Sequence, residues 1–447
     1  MKRIIEEKLL KWKRKTNRKP LILKGARQVG KTYSLIEFGK KHFKNFHYFN
    51  FEESQELNDI FEPDFNPERI IKELSLLKEE KIEIEKDLII FDEIQFSPKA
   101  LTSLKYFFEK FPNSYIISAG SLLGIKIKEK ISSFPVGKVE FLDMYPMNFY
   151  EFVSETESKE IAEIYDTFKI EDKVSDFVHK KLWNALKNYF IIGGLPEIVL
   201  FFSKNKNYDY ETFETIRELQ RNILLGYESD IAKYSGRINS MNVIRILKNI
   251  PSQLSKEING SLRRYKFKGV IPGKKTYSSL SSIIDWLINS GLVLKEHIVK
   301  NAQYPLEAQI RENMFKLYLF DIGLLGFLSG LEPSVIIRMD FGNYKGYFAE
   351  NFVIQELVSS GFENPYAWHG RESEIEFLFQ YKGEIIPLEV KSEDNLRAKS
   401  FTIYKKKYKP KIAIKLSSKK PAFHKDGTIN LPLYFAGKIK NIINQIP

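Results

Sequence analysis

Apolar positions in the first 150 residues follow two alternating periods. Residues 3–15 space them three and four apart, the stripe of an amphipathic helix. The run "PLILK" follows as a short strand, and after a Gly-containing loop a helix begins near Lys31. "FHYFNFE", "DLIIFDE" and "SYIISAGS" read as further strands, with a charged helical stretch and the helix "ALTSLKYFFEKF" between them, and "KVEFLDMYP" adds another. Strands that are apolar throughout and alternate with helices predict a parallel sheet covered on both faces.

From about Pro146 to Lys233 the period becomes helical, interrupted by "GGLP", which predicts a small helical lid. Residues 240–300 hold three helical patterns, the last "TYSSLSSIIDWLINSG", followed by "LVLKEHIVKN" and "KLYLFD". Helices followed by a two-strand ribbon predict a winged helix-turn-helix, with Thr276, Ser278, Ser279 and Ser281 on a polar face that could meet a DNA major groove. From Gly346 a helix, "GYFAENFVIQELVSSG", precedes three strand-like runs, a basic helix and two more apolar runs, the pattern of a second, smaller α/β domain. The expected organisation is a core over 1–150, a lid over 151–239, a winged-helix region over 240–340 and the last domain over 341–447, with no internal repeat.

Composition narrows the chemistry. At 447 residues with 43% apolar side chains, the chain has enough to bury several cores. It has no cysteine, which removes disulfides, thiolate zinc sites and thiol catalysis, and its six histidines show no i, i+4 pair. No apolar run approaches the roughly 18 residues of a membrane span, and the basic N-terminus lacks a signal-peptide core, so the expectation is a cytoplasmic protein with no membrane partner. The net charge of +13 is uneven, with nine Lys or Arg against two acids in the first 19 residues and a second basic concentration after Ser392. Such a field favours a polyanion; a general preference for lysine on solvated faces would produce it too.

Residues 25–32, "GARQVGKT", match G-x-x-x-x-G-K-[ST] between an apolar strand and a helix, the context that gives the motif meaning. Gly25 and Gly30 let the backbone through Ala26, Arg27, Gln28 and Val29 turn its N–H groups onto phosphate oxygens at a helix N-terminus. Lys31 would reach the β and γ phosphates of ATP, and the Thr32 hydroxyl would hold Mg²⁺. About 60 residues on, "LIIFDE" ends a buried strand in two acids: Asp92 can complete the Mg²⁺ shell and Glu93 can polarise the attacking water. In "SYIISAGSLLG", Ser118 and Ser121 end the next strand, where either could report on the γ phosphate or serve as a turn hydroxyl. Arg217, Arg221 and Arg237 are arginine-finger candidates by position in or near the lid.

Taken in order, "LILKGARQVGKT", "IIFDEIQ", "SAGSLLG", "FPVGKVEFLDMYPMNFYEF", "YFIIGGLPEIV", "DIAKY", "IPSQLSKE", "KLYLFDIGLL", "AENFVIQEL" and "SEIEFLF...IIPLEVKS" resemble the prokaryotic AAA-type ATPases that carry a DUF4143 C-terminal region. The resemblance spans nearly the whole chain. It implies a P-loop ATPase core, a winged-helix region and a C-terminal restriction-endonuclease-like fold of the PD-(D/E)xK kind. In that fold a helix Glu, a strand Asp and a Glu-x-Lys on the next strand converge on one metal. Matched by position, these are Glu350, Glu376, and Glu389 with Lys391. Residues two apart on a strand share a face, so Glu389 and Lys391 point to one spot while Val390 turns inward. Carboxylates there would hold Mg²⁺ to activate water, with Lys391 orienting it. The family usually has Asp where this chain has Glu376, an extra reach of roughly 1 to 1.5 Å in a site that demands near-ideal distances. Glu374, two residues earlier, could serve instead.

These readings combine into an Mg²⁺-dependent ATPase switch acting on nucleic acid, with DNA as the expected partner and a C-terminal site that has kept or lost cleavage. The alternative is an ATP-binding regulatory or scaffold protein that engages a protein partner. AAA-type ATPases often borrow an arginine from a neighbouring copy, which leaves a homo-oligomer open.

Overall fold

The computed structural model describes residues 1–121, 135, 137–205, 209–255, 264–338, 344–371, 373–391 and 399–446. They gather into two compact units, Met1–Tyr145 with Asn289–Gly291, and Pro146–Ile288 with Leu292–Pro447. In the first unit β1 (Leu21–Lys24), β2 (Phe46–Asn50), β3 (Leu88–Asp92), β4 (Tyr115–Gly120) and β5 (Glu140–Asp143) form one sheet in the order β2-β3-β4-β1-β5. Every pairing is parallel; Leu21 lies opposite Ile117 on one side and Glu140 on the other. All five residues of β3 are buried, as a strand covered on both faces requires. Phe91 meets Phe51 and Phe61 edge to face, in a core that includes Ile22, Leu104 and Ile116. Helix starts are fixed locally. Asn66 and Ser97 each accept a first-turn N–H of the helices Pro67–Lys78 and Pro98–Lys110, whose leading prolines have no N–H to satisfy.

The basic N-terminal segment buries one face in this unit and keeps Lys2, Lys11, Arg14 and Lys15 exposed. Ile5, Leu9 and Trp12 bury one face of the helix Ile5–Lys13. Arg3 and Arg18 are buried, the latter with its guanidinium 3.7 Å from the Tyr115 ring centre, and Lys15 pairs with Glu140 at 2.6 Å.

The second unit holds an eight-stranded mixed sheet in the order β12-β13-β11-β10-β9-β8-β6-β7. Its strands are β6 (Val293–Val299), β7 (Phe315–Leu319), β8 (Tyr366–His369), β9 (Glu374–Tyr381), β10 (Glu384–Val390), β11 (Ala413–Ser417), β12 (Ala422–Phe423) and β13 (Thr428–Pro432). The ribbon expected as a wing, β6 with β7, is antiparallel, but β6 also pairs in parallel with β8 through His297 opposite Tyr366. The ribbon is therefore one end of the C-terminal sheet, and the boundary expected at residue 340 does not divide it. Thr276, Ser278 and Ser279 precede the helix Ser281–Asn289 rather than lining it. Their hydroxyls serve the turn: Ser279 donates to the Thr276 carbonyl at 2.7 Å, the local bonding that keeps such residues out of helix interiors.

The helices expected as a lid, from Phe149–Thr156 to Tyr210–Ser235, belong to this second unit. Here the "GGLP" and "FDIGLL" stretches interlock. Asp321 caps the helix Ile322–Leu328 through the Leu324 N–H at 3.0 Å and also accepts the Gly194 N–H at 2.7 Å. A Cβ on Gly193 would lie 2.3 Å from the Asp321 carboxylate, and one on Gly323 2.5 Å from the Ile192 carbonyl. Next to them Gln355 accepts the Ile322 N–H at 3.0 Å and donates to the Tyr189 hydroxyl, which donates to the Met147 carbonyl. Glu356, fully buried, accepts the Phe149 N–H at 2.9 Å.

Burial pushes the Glu356 carboxyl up to about 8 from an ordinary 4.5, against the downward pull of that N–H. The folded chain therefore holds this proton more tightly than the unfolded chain. Stability contributed by the protonated group is full below about pH 4.5 and declines as pH rises towards about 8. Glu356→Gln keeps the carbonyl acceptor and removes the ionisation. Its melting temperature should match wild type near pH 5 and exceed it at pH 8.5, by a stability difference on the order of 2 to 5 kcal/mol. Parallel melting curves across that range would contradict the assignment.

Candidate functional site

In the first unit β1 runs straight into the phosphate-loop sequence. Lys24 accepts the Met144 N–H at 2.7 Å, and a Cβ on Gly25 would stand 2.3 Å from the Met144 carbonyl, so only glycine passes there. Gln28 and Gly30 take positive φ, 62° and 91°, and turn the chain into the helix Lys31–His42. That helix has no side-chain cap and no acid in its first turn, which leaves its leading N–H groups open to an anion. Arg3 donates to the Val29 carbonyl at 2.7 Å and to the Tyr145 carbonyl at 2.9 Å, fixing the loop to the end of the sheet. Arg27, partly exposed, stands 4.0 Å from Glu52.

Lys31 Nζ donates to the carbonyls of Gly25 and Ala26 at 2.9 and 2.8 Å. Burial lowers its pKa to about 8, with the nearby Glu93 and Asp92 opposing. The Thr32 hydroxyl donates to Asp92 at 2.6 Å, and Tyr48 donates to the same oxygen at 2.9 Å. The other Asp92 oxygen accepts the Glu93 N–H at 2.9 Å. Glu93 sits at φ 50°, a left-handed position that turns its side chain away from the strand direction, and Gln95 donates to its carboxylate. Burial raises the Glu93 pKa. Thr32 and Asp92 thus present two hard oxygens in contact beside an anion-ready loop with a lysine inside it. This donor set fits an Mg²⁺–nucleoside triphosphate.

Two expectations at this site change. Ser118 lies within β4, flanked by Ile22 and Phe91 in register, and among the described residues its buried hydroxyl has no hydrogen-bond partner. Only Ser121 stands past the end of the strand, half-buried. Arg217, in the second unit, is a half-buried tie rather than a free guanidinium: it donates to Gln220 and to the Leu331 carbonyl, both at 2.7 Å, and desolvation lowers its pKa to about 10. Arg221 is exposed on the same helix, and the Arg237 side chain lies outside the described residues. Sequence reading missed Arg3, Tyr48 and Gln95. Tyr48 had a signal, a hydroxyl-bearing residue on the strand beside Asp92; Arg3 had none.

In the second unit Glu350, Glu376, Glu389 and Lys391 are brought together. Lys391 Nζ lies 3.1 Å from Glu389 and 3.8 Å from Glu376, whose other oxygen accepts the Val390 N–H at 3.3 Å. Glu350, on the helix Tyr344–Ser359, lies 3.1 Å from the Tyr318 hydroxyl. A second lysine, Lys316, joins them, 3.5 Å from Glu350 and 2.7 Å from Glu374. Glu374 is therefore held by an ammonium and does not stand in for Glu376. Burial raises Glu376 to about 8 and raises Glu389 as well, in each case against the pull of Lys391. Glu296, opposite Lys316 across the β6–β7 pair, is raised well above the ordinary range by burial. Burial presses Lys316 down, but Glu350, Glu374 and Glu296 outweigh it and keep the ammonium charged. Among the described residues no three acids or histidines are arranged to hold a metal ion. Lys391 beside Glu389 and Glu376 is the arrangement expected of such a site, whereas Lys316, held against Glu350 and Glu374, is an ammonium that the expected site does not include.

Residues 17–153 match the AAA domain family, 184–335 a domain of unknown function, DUF8612, and 345–435 another, DUF4143. The chain is an AAA-type P-loop ATPase with a DUF4143 C-terminal region. Among curated proteins this ATPase is 25% identical over 395 residues to an uncharacterized protein of Methanocaldococcus jannaschii, covering 87% of this chain and 78% of that one. Among solved structures it is similar to a Walker-type ATPase of Pyrococcus abyssi, at 15% identity and TM-score 0.44 over 73% of this chain and 95% of that one. It is also similar to the Aeropyrum pernix Orc1 protein in complex with DNA, at 15% identity and TM-score 0.29 over 73% and 90%.

The Arg3 tie yields a test within the first unit. Arg3→Met keeps the apolar stem and removes two charge-assisted hydrogen bonds to the loop. Urea unfolding should show a loss of roughly 1.5 to 3 kcal/mol. Nucleotide affinity should fall several-fold, read by titration with a fluorescent ATP analogue.

Proposed function

We propose that this ATPase binds ATP with Mg²⁺ at residues 25–32 and Asp92, hydrolyses it slowly with Glu93 as base, and uses the cycle as a switch on nucleic acid. The observation that carries the reading is the 2.6 Å contact of Thr32 with Asp92, with Glu93 next in the chain. The open N–H groups of the loop and of the helix Lys31–His42 receive phosphate oxygens, and Lys31 exchanges its two loop carbonyls for the β and γ phosphates. Thr32 and Asp92 would hold the ion, which would supply positive charge to the phosphates. Glu93 takes a proton from the attacking water; its burial strengthens it as a base, and Gln95 fixes its orientation.

Lys31→Ala should abolish Mg²⁺–ATP binding in a titration, and unchanged affinity would sink the site assignment. Glu93→Gln should bind ATP normally and hydrolyse it at least about 100-fold more slowly; an unaltered rate would remove Glu93 from its role.

The nucleic-acid part rests on charge in the second unit. Residues 399–447 carry twelve lysines against one aspartate, and Lys399, Lys406 and Lys407 are exposed on the helix Lys399–Tyr408. Binding to short duplex DNA should weaken steeply with salt, log K falling linearly with log salt concentration. Replacing Lys399, Lys406 and Lys407 by Gln should reduce that slope by about 2 to 3. Salt-insensitive binding, or none, would favour the protein-partner reading.

A further inference from the structure

We propose that Lys316 is a built-in cation that takes the place of a divalent metal ion in the acid cluster of the second unit, so that the cluster is complete without one. The inference goes beyond nucleotide binding in the first unit and does not depend on it.

The cluster is assembled by the sheet. Lys316 and Tyr318 share a face of β7, Glu296 lies opposite Lys316 on β6, and Glu374 and Glu376 share a face of β9. The two ammonium groups divide the carboxylates: Lys316 takes Glu350 and Glu374, while Lys391 takes Glu376 and Glu389. The Tyr318 hydroxyl stands 3.1 Å from both Glu350 and Glu296, giving its one proton to one of them and linking Glu296 to the first set.

A metal-dependent centre built on Glu350, Glu376 and Glu389 needs their oxygens to converge on a vacant point. Here the helix acid of that set, Glu350, lies 3.5 Å from Lys316, and an ion placed there would stand against a buried ammonium already held between Glu350 and Glu374. Lys316 is buried to 4% exposure. A pocket that reaches Lys316 and Glu350 is also lined by Arg264, a second basic residue on its wall. The acids themselves are not short of donor capacity. Among the described residues one oxygen of Glu296 and one of Glu389 accept no hydrogen bond, although both residues are fully buried, and the other Glu389 oxygen faces Lys391 at 3.1 Å. Removing the Lys316 charge would therefore leave excess negative charge around unused donors, the condition under which a divalent cation binds.

The test is Mn²⁺ binding by the nucleotide-free full chain, followed by the electron paramagnetic resonance of free Mn²⁺. Comparison with Glu389→Gln isolates this cluster from any other site. Wild type and Glu389→Gln should give superimposable titrations. Lys316→Ala should gain one Mn²⁺ site, at least about 100-fold tighter than any Mn²⁺ binding by wild type, that Lys316→Ala with Glu350→Gln lacks. If Lys316→Ala fails to fold, Lys316→Gln, which keeps a polar group near Glu374, carries the same comparison. A wild-type Mn²⁺ site lost in Glu389→Gln would overturn the proposal. So would a folded Lys316 variant that gains no site.

Discussion

The cost of taking charge out of water governs both units. An isolated ion buried in protein is penalised by several kcal/mol, so each one must be matched by opposite charge, by hydrogen bonds or by a proton. Lys31 in the first unit and Lys316 in the second are both buried lysines, and they are matched differently. Lys31 rests on two loop carbonyls, with Glu93 and Asp92 acting at longer range, and its pKa falls to about 8. Carbonyl dipoles are replaceable partners, so this ammonium is poised to move onto a better anion. Lys316 is surrounded by carboxylates that keep it charged. It has no better partner to move to. The first arrangement suits a site that receives a ligand, the second a site already filled.

Close backbone approach is the second constraint, and it explains glycines that no phosphate requires. Gly193 and Gly323 let the helix ends around Ile192 and Asp321 come within reach, and Asp321 then serves as cap and staple at once. Burial raises the Asp321 carboxyl to about 6 even though backbone N–H groups of Gly194, Leu324 and Gly323 pull it down. The motifs that mark the family along the chain are thus of two kinds. "GARQVGKT" and "LIIFDE" place chemistry, whereas "GGLP" and "FDIGLL" hold the second unit together.

What the residues disclosed follows the range of the interactions involved. The parallel sheet of the first unit was legible because β1, β3 and β4 are apolar along their whole length and the phosphate loop sits between a strand and a helix. Asp92 and Glu93 were legible because they end such a strand. The pairing of β6 with β8 was not, since a ribbon and a sheet edge have the same alternating pattern and only long-range register tells them apart. Thr276, Ser278 and Ser279 lie two to five residues before the helix they were expected on, in a turn where hydroxyls compete for the backbone. Arg217 was an arginine-finger candidate by position alone, because the hydrogen bonds that tie it to Gln220 and Leu331 cannot be assigned without its packing partners. Lys316 was hidden for both reasons, a lysine on a strand whose sheet was unknown.

That last point changes where the question of the C-terminal acids lies. From the sequence, the departure is Glu376, whose extra methylene would displace a metal ligand. In the fold, that length is used: one Glu376 oxygen accepts the Val390 N–H and the other faces Lys391. An aspartate at 376 would be shorter by the same methylene and would not by itself vacate a metal position, because Lys316 would still hold Glu350 and Glu374. The residue that decides the character of the cluster is therefore on β7, in the stretch "KLYLFD", rather than in the acid-bearing strands. Strand pairing brings it there, and the desolvation cost of unmatched carboxylates keeps it there.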